Sequence, residues 1–248
     1  MEESIEKLRE MRLNGIIQGI KEQINKVNYS ELSFEERIAH IVDTEYFLRS
    51  NRKISQNIKQ AKLHQYVSLE QIDYEQPRGL NKSQIRQLSS CQWIESKHNL
   101  IILGPTGIGK TFLACSFGHK ACRLDKKVLY TKMSILNSDL SIAKADGSYG
   151  SLLQKLSKLN LLIIDEWMRE PLSAPEARNL LEVLDSRYLH GSHLFVSQIP
   201  VEEWHSQIDN STLADAILDR LVHNSIRINL KGESMRKILN KVENNTIC

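Results

Sequence analysis

Residues 99–111 read NLIILGPTGIGKT. An uncharged apolar run ends on glycine, and a lysine–threonine pair then opens TFLACSFGHKACRL, whose apolar residues recur at helical spacing. A buried strand turning through glycines into a helix is the setting that the spacing G-x-x-x-x-G-K-[ST] requires. Gly104, Gly107 and Gly109 let the backbone curl until its N–H groups converge on a phosphate, and the helix N-terminus adds a positive field. Pro105, Thr106 and Ile108 complete the loop. Lys110 is placed to reach the β- and γ-phosphates, and the Thr111 hydroxyl to hold Mg²⁺. ATP and Mg²⁺ are the expected ligands.

Outward from this loop, the second half of the chain alternates strand and helix. KVLYTK, NLLIID, HLFVSQ and SIRINL read as strands; SYGSLLQKLSKL and APEARNLLEVLDSRYLH read as helices. That alternation predicts a parallel sheet in a three-layer α/β arrangement. Asp165 stands at the carboxyl end of its strand, where ligands of open α/β sheets collect, and is predicted to share Mg²⁺ with Thr111. Glu166 follows it and is the candidate to polarise the attacking water. Ser197 and Gln198 end the next strand; either can face the γ-phosphate, and sequence does not choose between them.

The first part of the chain is helical in pattern. Leu13, Ile16, Ile17, Ile20 and Ile24 form one apolar stripe. Ser33 followed by Glu36 is a capping box that opens a second helix, with an apolar face running through Ile38, Ile41, Val42 and Leu48. From Glu45 to Glu70 no acidic residue occurs, while Arg49, Arg52, Lys53, Lys59, Lys62 and His64 do. A solvated helix face usually mixes signs, whereas a one-sign run suits a phosphate backbone. Arg49, Arg52, Lys53, Lys59 and Lys62 are therefore candidate DNA contacts. SLEQIDYEQPRGLNK has no sustained periodicity and reads as a linker.

With 41% hydrophobic and 25% charged residues in 248, the chain fits an ordinary globular protein of one large domain or two small ones. A net charge of +3 confines any nucleic-acid binding to a local patch. The four cysteines make no C-x-x-C pair, which predicts reduced thiols and a cytoplasmic location. No apolar stretch is long enough to span a membrane, and MEESIEKLRE is not a signal peptide.

Near the end, LADAILDRLVHNS places Ala214, Ile217, Leu218, Leu221 and Val222 on one stripe with Arg220 roughly opposite. Taken alone, Arg220 is an ordinary surface arginine. GPTGIGKT, LLIIDE, LADAILDRLVHNS and KGESMRK together, however, resemble an AAA+ ATPase. More closely they resemble the IstB-like helper ATPases of insertion-sequence transposition, relatives of the DnaC helicase loaders. RLNGI, LSFEERIAH and the basic stretch carry the likeness through the front of the chain. The resemblance implies an AAA+ P-loop fold, a three-layer αβα domain with a parallel sheet over residues 71–248. A helical N-terminal domain, residues 1–70, would serve DNA or partner binding and oligomerisation. Arg220 becomes an arginine finger acting on a neighbouring subunit's nucleotide, and Arg236 a sensor arginine on its own. Too few residues follow Arg236 for the full C-terminal lid of larger AAA+ enzymes. The implied activity is a Mg²⁺-dependent ATPase that forms a homo-oligomer on double-stranded target DNA, recruits a transposase and disassembles on hydrolysis. A DnaC-like helicase loader is the main alternative; a small-molecule P-loop kinase is a lesser one.

Overall fold

The chain divides by its contacts into two units, Met1–Gln56 and Asn57–Cys248. The structure, a computed structural model, describes residues 1–25, 29, 31–235 and 237.

In the first unit, α1 (Glu2–Glu10) and α2 (Asn14–Asn25) precede α3 (Phe34–Gln60), whose last residues belong to the second unit. The expected capping box forms: Glu36 N–H donates to Ser33 Oγ at 3.2 Å, and Ser33 N–H to the Glu36 carboxylate at 2.8 Å. Buried Glu45, midway along α3, accepts from the N–H groups of Gly15 (2.6 Å) and Ile16 (3.2 Å), which start α2 and have no partner within their own helix. Glycine is needed there, because a Cβ on Gly15 would fall 2.7 Å from the Glu45 backbone nitrogen. The apolar stripes are less covered than their spacing predicts. Ile24, Ile38 and Val42 are exposed. α2 meets α3 along Ile41 and Glu45, a strip too narrow to cover the neighbouring positions as well.

After the end of α3, the second unit has two short helices, α4 (Lys82–Leu88) and α5 (Gln92–Glu95). Then come β1 (Asn99–Leu103), α6 (Lys110–Arg123), β2 (Val128–Lys132), α7 (Met133–Asp146) and α8 (Tyr149–Ser157). β3 (Leu161–Trp167), α9 (Ala174–Arg187), β4 (Ser192–Ser197), α10 (Ser211–Val222) and β5 (Ser225–Asn229) complete it. The strands form one parallel sheet in the order β2-β3-β4-β1-β5. Period-two alternation divides their side chains between two cores. Leu100, Ile102, Leu161, Ile163, Leu194 and Val196 pack with α4, α5 and α6. Ile101, Leu162, Ile164 and Phe195 pack with α7, α8, α9 and α10. Each such side chain contributes about 1.5–3 kcal/mol by leaving water. Continuous apolar runs such as LLII are thus explained, since both faces of the sheet are covered.

Three segments differ from their reading in sequence. The expected linker is packed: Leu69 and Ile72 lie in the core, and Arg78 is buried. A single turn, Leu69–Gln71, carries Leu69 and leads into Ile72, and one turn is too short to show a period. Residues 57–70, assigned above to the N-terminal domain, also lie in the second unit by contacts, with Ala61 and Leu63 in its core. Helix α7 was not anticipated; its buried face of Met133, Leu136, Asn137, Leu140 and Ala143 includes a polar residue.

Candidate functional site

The phosphate loop joins β1 to α6. Its glycines hold backbone angles that L side chains rarely adopt, with φ of 148° at Gly104, 81° at Gly107 and 104° at Gly109. Space is also absent: a Cβ on Gly104 would meet Leu230 O at 2.6 Å, and one on Gly107 would collide with Ser234. Lys110 is buried, and its ammonium donates to the carbonyls of Gly104 (2.7 Å) and Pro105 (2.9 Å). Burial pushes its pKa down, and the Asp165 carboxylate partly offsets this.

Asp165 is buried at the carboxyl end of β3, where three donors converge on it. The Thr111 hydroxyl and the Tyr130 hydroxyl each reach Oδ2 at 2.7 Å, and Glu166 N–H reaches Oδ1 at 2.7 Å. Burial raises the Tyr130 pKa, with Asp165 adding to the rise, so the phenol stays a donor. A carboxylate joined to a hydroxyl at the start of the loop helix fits Mg²⁺, which takes one or two protein oxygens and completes its shell with phosphate and water. Among the described residues no cluster of three His, Cys, Asp or Glu side chains offers a competing cage.

Glu166 adopts a φ of 56°, rare for a non-glycine residue. Two cations hold its carboxylate, Lys132 at 2.8 Å and Arg169 at 3.4 Å. The Lys132 hydrogen bond is the main reason its pKa lies below the ordinary carboxylate range; burial opposes it, and the charges of Lys132 and Arg169 add to the lowering.

Ser197 and Gln198 differ in what they touch. Ser197 is buried, its hydroxyl lying 2.9 Å from Trp167 O and 3.1 Å from Ile199 O while it accepts Ile199 N–H at 3.0 Å. Gln198 Oε1 instead accepts from the Thr106 hydroxyl of the phosphate loop at 2.6 Å. Arg220 is not a free surface side chain. Its Nε donates to Asp185 at the end of α9, and Nη1 donates to Ala216 O at 2.8 Å. Arg236 lies outside the described residues.

Of the basic residues, Arg49 is ion-paired with Glu45 at 2.5 Å. Arg52, Lys53, Lys59 and Lys62 are exposed. The segment after α3 is fastened to the edge of the sheet: Tyr130 N–H donates to Ala61 O at 2.8 Å, and the His64 ring stacks on Tyr130 with centroids 6.1 Å apart.

Four residues with a place in this site were not singled out from sequence. Tyr130 bonds Asp165, and Lys132 and Arg169 hold Glu166. Buried Arg78 donates to Ile108 O at 3.3 Å from behind the loop. Tyr130 and Lys132 lie on the strand next to β3, opposite Ile163 and Asp165, so strand pairing was the available signal. Arg78 lies in the supposed linker and gave none.

A parallel sheet with β1 between β4 and β5, a phosphate loop after β1 and an acidic pair ending β3 define an AAA+ P-loop protein. AMPPCP-bound DnaA from Aquifex aeolicus superposes with a TM-score of 0.59 at 14% identity, over 74% of this chain and 56% of that one. The DnaC helicase loader superposes at 0.53 and 17% identity, over 70% of this chain and 98% of that one. The family model of the IstB-like ATP binding proteins matches residues 6–243, and the chain belongs to that family. An insertion sequence ATP-binding protein of Sinorhizobium fredii, y4pL, is 42% identical over 94% of this chain and 96% of its own length. The IS21 ATP-binding protein of Pseudomonas aeruginosa is 33% identical over 95% and 88%.

Proposed function

We propose that this chain is a Mg²⁺-dependent ATPase that assembles with copies of itself on double-stranded DNA, recruits a transposase to that target and comes apart on hydrolysis. One observation carries the assembly. Asn99, the first residue of β1, lies within hydrogen-bonding reach of Arg220 O, while the phosphate loop follows the last residue of β1. Five strand residues at ~3.3 Å each separate the two by about 16 Å. An arginine at the wrong end of its own sheet can act on a nucleotide only across a subunit boundary.

The geometry above supports the following roles. Lys110 leaves the loop carbonyls for the β- and γ-phosphates, and Thr111 and Asp165 hold the metal. Bound Mg²⁺ neutralises charge on the transferred phosphoryl group. Gln198, through Thr106, is the γ-phosphate sensor. Glu166 polarises water once its carboxylate leaves Lys132 and Arg169, since a carboxylate held by two cations is a poor base. Arg220 of the neighbouring copy stabilises charge developing in the transition state. Arg52, Lys53, Lys59 and Lys62 follow the DNA backbone.

The test compares assembly and ATP turnover with duplex DNA, single-stranded DNA and no DNA. Duplex-dependent assembly with a non-hydrolysable ATP analogue is expected. A preference for single strands would favour the helicase-loader reading. Replacing Arg52, Lys59 and Lys62 with Ala should weaken binding to unrelated duplexes alike and reduce the log–log salt slope by up to about 3, one counterion per lost phosphate contact. An unchanged slope would return these residues to ordinary solvation.

A further inference from the structure

Beneath Arg220 lies a buried polar network that the nucleotide chemistry does not use. Arg187, the last residue of α9, is fully buried and has no ion-pair partner among the described residues. Its Nη1 donates to Leu159 O at 3.0 Å and to Leu156 O, and its Nη2 to Ser192 O at 2.9 Å. Its Nε donates to His193 Nε2 at 3.1 Å. Guanidinium nitrogen is always a donor, so Nε2 accepts and the imidazole proton sits on Nδ1. From Nδ1 the ring donates to Asn99 Oδ1 at 3.2 Å, and His193 N–H reaches the same oxygen at 2.9 Å. With its carbonyl thus occupied, Asn99 turns its amide towards α10, and Nδ2 donates to Leu221 O at 3.2 Å with Arg220 O at 3.5 Å. Asn99 N–H completes the join by donating to Asn224 O at 2.8 Å.

The last carbonyls of a helix have no partner within it and carry the negative end of its dipole. Asn99 supplies donors to two of them. Arg187 lies behind it, and its charge polarises the imidazole and the amide in sequence. Burying a guanidinium without a carboxylate is costly in solvation. The network therefore fixes the geometry of this corner at some expense in stability. The residue whose backbone it fixes is Arg220. The guanidinium of Arg220 meets Asp185, two residues before Arg187 on the same helix.

We propose that Asn99, His193 and Arg187 are positioning residues for Arg220, fixing the end of α10 so that the arginine reaches the neighbouring subunit's nucleotide in register. This rests on Arg220 acting between subunits, as proposed above. A misplacement of about 1 Å in such a group can cost about 10²-fold in rate.

The experiment uses Asn99→Asp, which keeps size and the acceptor for His193 but turns a negative atom on the α10 carbonyls, and His193→Phe, which keeps a flat ring. Each should bind ATP like the wild type and turn it over at least tenfold more slowly on duplex DNA. Mixing decides the cause. With Glu166→Gln, which donates an intact Arg220, either variant should recover activity, because its own nucleotide site is sound. With Arg220→Ala, which offers an intact site and needs a finger, it should stay slow. Recovery in both mixtures, recovery in neither, or wild-type turnover of the variant alone would overturn the proposal. Mixing Arg220→Ala with Glu166→Gln is the control for the reading beneath: if that pair stays inactive in assemblies that form, the between-subunit role fails. The unsubstituted protein gives a readout independent of variant folding. Imidazole nitrogen shifts must report the Nδ1–H tautomer of His193, and the Asn99 amide protons must be protected from exchange. The Nε2–H tautomer or fast exchange would refute the network.

Discussion

At the carboxyl end of β1, eight consecutive residues make the phosphate loop, and Asp165 and Glu166 stand side by side at the end of β3. At the amino end, Asn99, His193, Arg187, Asp185 and Arg220 come together from four elements, with partners 94 and 122 residues apart in the chain. Phosphate is a small, fixed target that backbone N–H groups can surround, so the glycines lie close together in sequence. On the reading proposed above, Arg220 is held at a distance from its own nucleotide. The bonds around it are long-range, each chosen by the fold rather than by neighbours in the chain.

If the two ends have separate tasks, damage at the carboxyl end should act on the subunit that carries it. Lys110→Ala should have the largest effect, lowering ATP affinity at least 10²-fold in a fluorescent-nucleotide titration, because the loop then presents no charge to the β/γ-phosphates. Affinity within a fewfold of the wild type would show that the lysine stays on the loop carbonyls when nucleotide binds. Glu166→Gln should keep that affinity and lose about 10²–10³-fold in turnover; near-normal turnover would move the base elsewhere. Tyr130→Phe removes one donor from buried Asp165, and a hydrogen bond to a charged group contributes roughly 1.5–3 kcal/mol. Turnover should fall about tenfold or more, with nucleotide affinity measured without Mg²⁺ unchanged. A loss of that metal-free affinity would mean that the phenol supports the loop rather than the carboxylate.

The smallest and most separable effect is the pH dependence of stability at the amino end. Burial, with the charge of Arg187 adding, holds the His193 pKa well below the ordinary imidazole range. In the unfolded chain it takes a proton near pH ~6.5, so this contribution is fully present above that pH and is lost as pH falls below it. Between pH 7.5 and 5.5 the wild type should lose about 1.4 kcal/mol more unfolding free energy than His193→Phe, read from urea titrations. Equal losses would show that His193 accepts a proton in the folded state.

The same division accounts for what could be read from the chain alone. The strand–loop–helix of NLIILGPTGIGKT, the acidic pair after LLII and the capping box at Ser33 depend on residues a few positions apart, and each forms as the spacing predicts. Ser197 and Gln198 could not be separated, because Gln198 lies just past the end of β4 and the partner that distinguishes it, Thr106, is 92 residues away in the chain. Arg220 could be assigned to the outer side of its helix, but its partner Asp185 could not, since nothing in either helix indicates that their ends meet. Tyr130 and Lys132 are visible only once β2 is known to lie beside β3.

On the proposed reading, one nucleotide is served by two copies of the chain. Arg220→Ala keeps Glu166 and lacks the arginine; Glu166→Gln keeps the arginine and lacks the carboxylate. Each alone should bind ATP and hydrolyse it poorly, because ground-state phosphate contacts remain while transition-state stabilisation is lost. Mixed on duplex DNA, some interfaces pair an intact Glu166 with an intact Arg220. ATP turnover is expected to return in the mixture to a substantial fraction of the wild-type rate. Mixed assemblies that form and stay as inactive as either variant alone would contradict it.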